Sequence, residues 1–166
     1  MNSNIFCFSS KPENKISAYN VEERICNEVA DYCGETERED FLRIVESFKD
    51  NYYGIFEVSE EGNFFKVKVL DKKRFFSSNC QMFLAYLKYI SMTLTEEFET
   101  AIEKFSTFDI EGLMYDLNAK YEDKFDDWVY WTPEEGLPNL VTFPEFMRGV
   151  NDGDEFYLVS IFDYHA

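Results

Sequence analysis

At 166 residues the chain is long enough for one domain that buries roughly two thirds of the surface its unfolded form exposes, so a core needs neither a disulfide framework nor a structural metal. Hydrophobic residues make up 45% and aromatic residues 19%, which excludes the low-hydrophobicity signature of intrinsic disorder despite the heavy charge. That charge, 33 acidic against 16 basic side chains for a formal −17, repels phosphate backbones and anionic lipid and argues against direct binding to nucleic acid or membranes.

The opening MNSNIFCFSSKPENK has no basic start followed by a long apolar run, so no secretory signal is expected there. No stretch of about 18 apolar residues occurs, and the longest candidate, MFLAYLKYISM, contains Lys88. Cys7, Cys26, Cys33 and Cys80 form no C-x-x-C pair; on one continuous helix Cys26 and Cys33 would stand about 10 Å apart by rise alone, too far for a disulfide. These features together read as reduced thiols in a cytoplasmic protein.

Residues 20–33 place Val21, Ile25, Val29 and Tyr32 at helical spacing, with Asn20 as cap and Gly34 as stop. Thr36 and Glu39 then form a capping-box pattern ahead of a second helix, FLRIVESF, whose apolar face is Phe41, Ile44, Val45 and Phe48. From residue 53 the period falls to two. Phe56 and Val58 precede a Glu-Glu-Gly-Asn turn, and Phe65, Val67 and Val69 alternate with Lys66 and Lys68, which predicts a β-hairpin with one buried face. The hairpin runs into DKKR, which with Lys66 and Lys68 makes the only basic cluster.

Ser78 and Gln81 repeat the capping pattern before QMFLAYLKYISM, apolar on nearly every side and so expected to be the central buried helix. Either Thr93 or Thr95 caps a separate helix bearing Phe98, Ile102 and Phe105, or the two helices are continuous. A further helix is predicted from Asp109, with Ile110, Met114, Leu117 and Tyr121 on one side. Pro133 and Pro138 with Glu134 and Glu135 mark loops over residues 131–142. Thr142 and Glu145 cap a short helix, and the turn Asn151-Asp152-Gly153-Asp154 leads into a last strand, EFYLVSIFDY. The expected architecture is a single α+β domain over 1–166, with about five or six helices packed on a small antiparallel sheet made of the central hairpin and the C-terminal strand.

For function, the distribution of charge says more than its total. Residues 106–166 hold 14 acidic side chains against three basic ones. A solvated face with no task usually mixes its signs. Asp116, Glu122, Asp123, Asp126, Asp127, Glu134 and Glu135 are therefore expected to form a negative patch, with Trp128, Tyr130 and Trp131 as aromatic anchors of a partner-binding face. The competing expectation turns those aromatics inward and leaves the acids in water.

Catalytic and cofactor chemistry finds little support. The single histidine, His165, stands next to the last residue of the sequence, a poor platform for a general base. Scattered cysteines give no zinc spacing, the run Asp123, Asp126, Asp127 and the sequence NDGDE fail the EF-hand pattern, and the seven glycines form no phosphate loop. No pair among the 33 acids is singled out for glycoside hydrolysis. The sequence thus predicts a non-enzymatic protein without metal or cofactor. Its expected partner is a basic protein, such as a nuclease or another nucleic-acid enzyme, met either as a nucleic-acid mimic that blocks a restriction or CRISPR enzyme or as an immunity protein for a nuclease toxin. The alternative is a small-ligand or protein-interaction domain whose acidity serves only solubility.

Overall fold

The computed structural model of the chain describes residues 3–12, 32–103 and 127–165. Among them run β1 (Ser3–Ser9), β2 (Tyr32–Glu35), α1 (Arg38–Asn51), β3 (Phe56–Glu61), β4 (Phe64–Val69), α2 (Lys72–Glu103), β5 (Trp128–Thr132), β6 (Asn139–Thr142), α3 (Phe143–Gly149) and β7 (Glu155–His165). The chain divides into two compact units, one made of Met1–Phe75 with Asp126–Ala166 and the other of Phe76–Phe125.

The first unit is built on a seven-stranded mixed sheet, with strand order β3-β4-β7-β1-β5-β6 and β2 paired to β7 as well. The small antiparallel sheet under five or six helices is thereby overturned: the sheet is large, it contains a parallel pair, and the described residues hold α1, α2 and α3. The fold remains α+β on a single sheet. Its spine is the 11-residue β7, which pairs with β1 along one edge and, along the other, with β4 over its first half and β2 over its second. β1 then pairs in parallel with β5.

Register assigns the faces. Phe6 and Phe8 share one face with Val129 and Trp131 of β5 and with Leu158 and Ile161 of β7. Leu158 and Ile161 are an odd number of residues apart and would normally point to opposite faces. A bulge resolves this: Cys7 pairs with Ser160 but Phe8 with Leu158, so Val159 is the extra residue and the alternation resets. On this face lie α1 and α3. Phe48 meets Phe6 at 5.2 Å and Phe56 at 5.3 Å between ring centroids, while Phe146 meets Phe8 at 5.3 Å and Phe156 at 5.2 Å. Phe143 touches rings from α1, β1, β3 and the start of α2, which makes it the hub of the core. Each such buried ring contributes about 1.5–3 kcal/mol of transfer free energy. On the opposite face Ile5, Cys7, Tyr130 and Phe162 form a second buried cluster, flanked by Trp128, Leu140 and Val159.

The hairpin β3–β4 and the strand β7 lie where alternation and β-branching place them. The capping box of α3 is complete, with Glu145 N–H donating to Thr142 Oγ1 and Thr142 N–H to the Glu145 carboxylate. Other expectations give way. Tyr32 and Cys33, read as the end of a helix, and Gly34, read as its stop, belong to β2; the remainder of that helix lies outside the described residues. Thr36 does not cap α1. Its backbone N–H and its hydroxyl both donate to Ile161 O at 3.0 Å, extending the β2–β7 pairing, and the helix starts two residues later with Glu37 in the cap position and no side-chain cap.

The basic cluster DKKR is a helix start. Asp71 Oδ1 accepts the Arg74 N–H at 2.8 Å, so α2 begins at Lys72 and Ser78 is interior. Lys72 Nζ donates to Arg148 O and Val150 O, capping the C-terminal end of α3. Further along, Thr93 and Thr95 donate their hydroxyls back to Tyr89 O and Ser91 O instead of opening a new helix, and α2 is continuous through Glu103. Within the second unit Leu84, Leu87, Tyr89, Met92 and Phe98 are exposed, so α2 is not the buried centre its composition suggests. The expected helix from Asp109 to Tyr121 lies outside the described residues. Among the described residues no helix is long and apolar enough to cross a membrane.

Candidate functional site

Strand alternation scatters the expected aromatic anchors. Trp128 and Tyr130 point to the face of the Ile5–Cys7 cluster, where Tyr130 is only 3% exposed, while Trp131 points to the face of α3. Of the acids, Asp116, Glu122, Asp123 and Asp126 lie outside the described residues. Asp127 is half-buried and holds the entry to β5: its Oδ1 accepts the Asn4 N–H at 3.4 Å and its carbonyl accepts the Phe143 N–H at 3.2 Å. Burial, with the Asp127 charge adding to it, pushes the Tyr52 phenol far above its ordinary range. Glu134 and Glu135 are exposed on the β5–β6 loop.

The structure brings Trp131 and Glu134 to one place. A cleft of about 480 Å³, formed entirely within the first unit, opens between the β5–β6 loop and the start of β7. Exposure sorts its lining. Phe146, Phe156 and Val150 are buried and Trp131 is half-buried, whereas Glu134, Asp154 and Glu155 are exposed. The three rings stand at steep angles: Trp131 lies 5.4 Å from Phe146 and 6.1 Å from Phe156, and Phe146 meets Phe156 edge-on at 89°. Ser10, which follows β1, also lines the cleft, while its Oγ is itself fully buried and has no hydrogen-bond partner among the described residues.

The chain's own cations reach two of these carboxylates. Lys11 Nζ lies 2.9 Å from Glu134, and Lys66 Nζ lies 2.7 Å from Glu155. The hydrogen bond between Lys66 and Glu155 holds the Glu155 carboxyl below its usual value and raises the Lys66 ammonium. Asp154 Oδ2 accepts the Asn151 N–H at 2.8 Å within the turn. No group of three His, Cys, Asp or Glu side chains among the described residues is placed to hold a metal ion.

Sequence reasoning missed most of this lining. Asp154 and Glu155 read only as turn and strand start, and Phe146 and Phe156 as core. Their convergence on Trp131 depends on the non-local order of β7, β1 and β5. Comparison of the chain with known protein families, with curated proteins and with solved structures gives no match in any of the three.

Proposed function

We propose that the protein is a non-catalytic, cytoplasmic binding protein that docks an acidic surface on a basic protein of the kind a nuclease or another nucleic-acid enzyme presents. The observation that carries this reading is the cleft. Two loops about 20 residues apart in sequence bring Glu134, Asp154 and Glu155 together over an apolar floor, on a chain of net charge −17. Long-range charge steers a cationic partner into encounter, and an apolar floor under a polar rim is the usual anatomy of an interface core. A nucleic-acid mimic that blocks a restriction or CRISPR enzyme and an immunity protein for a nuclease toxin both use this physics.

The test begins with affinity capture from the host and mass spectrometry, followed by association kinetics with the purified partner between roughly 50 and 500 mM salt. The expected result is a basic partner whose association rate falls steeply with salt and falls further in Glu134→Lys. A dissociation constant indifferent to salt and to that substitution overturns the proposal. The cleft volume favours one second reading, a domain for a small ligand, since about 300–1,000 Å³ is the range of small-molecule sites. That reading predicts a salt-insensitive ligand and no basic protein partner.

A further inference from the structure

We infer that the cleft is a socket for one arginine side chain of the partner; this rests on the reading of the protein as a binder of a basic protein. The rings supply the first reason. Trp131 is the half-buried ring of the lining, above a floor of buried Phe146 and Phe156, and a planar cation gains from a ring face within about 6 Å of its centroid. The second is the acceptor set. A guanidinium carries five N–H donors in a fixed plane and no acceptor, so it suits a site whose polar groups are carboxylates. Glu134 and Asp154 supply exposed carboxylates at the rim.

A lysine ammonium fits less well, because it is compact, strongly hydrated and gains less from lying flat on an indole or phenyl face. The chain contains its own comparison. Lys11 reaches Glu134 from outside, with side chains 52% and 68% exposed, and Lys11 is not part of the cleft lining. A lysine thus meets the rim without entering. An arginine that enters competes with Lys11 for Glu134, so removal of Lys11 should tighten binding instead of weakening it.

The experiment titrates the full chain with acetyl-Gly-Arg-Gly-amide and with its lysine and citrulline counterparts, following the Trp131 indole and the Ser10 amide by NMR. Citrulline keeps the shape of arginine and removes the charge. The arginine peptide is expected to saturate both signals, to bind about tenfold more tightly than the lysine peptide, and to be lost on exchange to citrulline. Glu134→Gln should weaken it severalfold and Lys11→Gln should strengthen it. Equal shifts with citrulline, shifts that avoid Trp131, or affinities unchanged in Glu134→Gln and Lys11→Gln each overturn the socket. Those surface substitutions leave the rings in place, and retention of the wild-type amide spectrum verifies the fold. If a basic protein binds in a salt-dependent way but the tripeptide does not, the socket fails and the proposed function stands. If the tripeptide binds at the cleft and no basic protein does, the proposed function fails and the cleft is a site for small guanidinium compounds, which also overturns the partner arginine as its occupant.

Discussion

Tyr52 offers a test of the core that a pH-dependent measurement reads directly. Its ring packs on Phe48 at 4.8 Å and Phe143 at 5.1 Å, and burial together with the Asp127 charge keeps the phenol protonated well above its ordinary range. An unfolded tyrosine loses its proton near pH 10. Above that pH the unfolded state therefore binds fewer protons than the native state, and stability falls as pH rises. The contribution is intact below about pH 10 and declines by up to about 1.4 kcal/mol per pH unit above it, for as long as burial keeps the folded phenol protonated. At pH 11 the loss assigned to this one group is about 1.4 kcal/mol. Other tyrosines and lysines titrate there too, so the informative quantity is a difference. Urea unfolding followed by fluorescence of Trp128 and Trp131, at pH 7.5 and pH 11, should show wild type losing about 1.4 kcal/mol more than Tyr52→Phe between the two conditions. The phenyl ring keeps the aromatic packing, so the variant should differ by less than about 1.5 kcal/mol at pH 7.5. An equal alkaline loss in both proteins would show that burial does not hold the Tyr52 phenol protonated.

Three further outcomes follow from local geometry. Thr142→Ala should cost about 1 kcal/mol by calorimetry, and Glu145→Ala should add little on top of it, because both belong to one capping box; fully additive losses would contradict the reciprocal bonds. Gly54 and Gly62 both have positive φ, 74° and 67°, so alanine at either should cost about 1 kcal/mol, but a Cβ at Gly54 would lie 2.5 Å from Arg74 Nη1 while one at Gly62 meets open space. The Arg74 guanidinium is the exposed end of a flexible side chain and can swing aside, so both variants should lose similar stability by calorimetry, and a much larger loss in Gly54→Ala would show that Arg74 is held in place. Lys66 holds Glu155 below the usual carboxylate range, so this pair stabilises the native state above that range and ceases to as pH falls through the lowered value. Urea midpoints at pH 7 and pH 3 should accordingly differ less in Glu155→Gln than in wild type, and an unchanged difference would refute the pairing.

What could be read from the sequence depended on whether one face of an element was wet. The β3–β4 hairpin alternates Phe65, Val67 and Val69 with Lys66 and Lys68, and its period survives into the structure. β1 and β5 do not alternate. Ile5 and Cys7 are buried on one face and Phe6 and Phe8 on the other, and Trp128–Thr132 is likewise covered on both, so the period that would announce a strand is absent. The prolines then dominated the reading of residues 131–142, although Pro133 and Pro138 occupy only the connection between β5 and β6. Tyr32 fell into a helical stripe by spacing alone, while its backbone pairs with β7. For α2 the error ran the other way: apolar residues on every side suggested burial, yet Leu84 and Met92 are exposed. Trp131 and Glu134 both fall in the expected acidic and aromatic stretch, three residues apart in sequence. Asp154 and Phe156 lie outside it, and only sheet order places them opposite.

Under the proposed function, charge alone would give the protein speed but little choice of partner. At physiological salt the field of the −17 chain decays over about 8 Å, so it raises encounter rates with any cationic surface and discriminates weakly among them. Discrimination needs a contact that is desolvated. The rim pairs Lys11–Glu134 and Lys66–Glu155 are exposed to solvent, and exposed pairs contribute about 0–1 kcal/mol, so an incoming cation can exchange with them at small cost. Behind the rim, Phe146 and Phe156 are buried and already ordered by the core around Phe143 and Phe8, so the floor loses little conformational entropy when it is covered. The same sheet order that hides these residues from a linear reading therefore fixes the walls of the cleft, so under the proposed function the choice of partner would rest on β1, β5, β7 and α3 rather than on the number of acids.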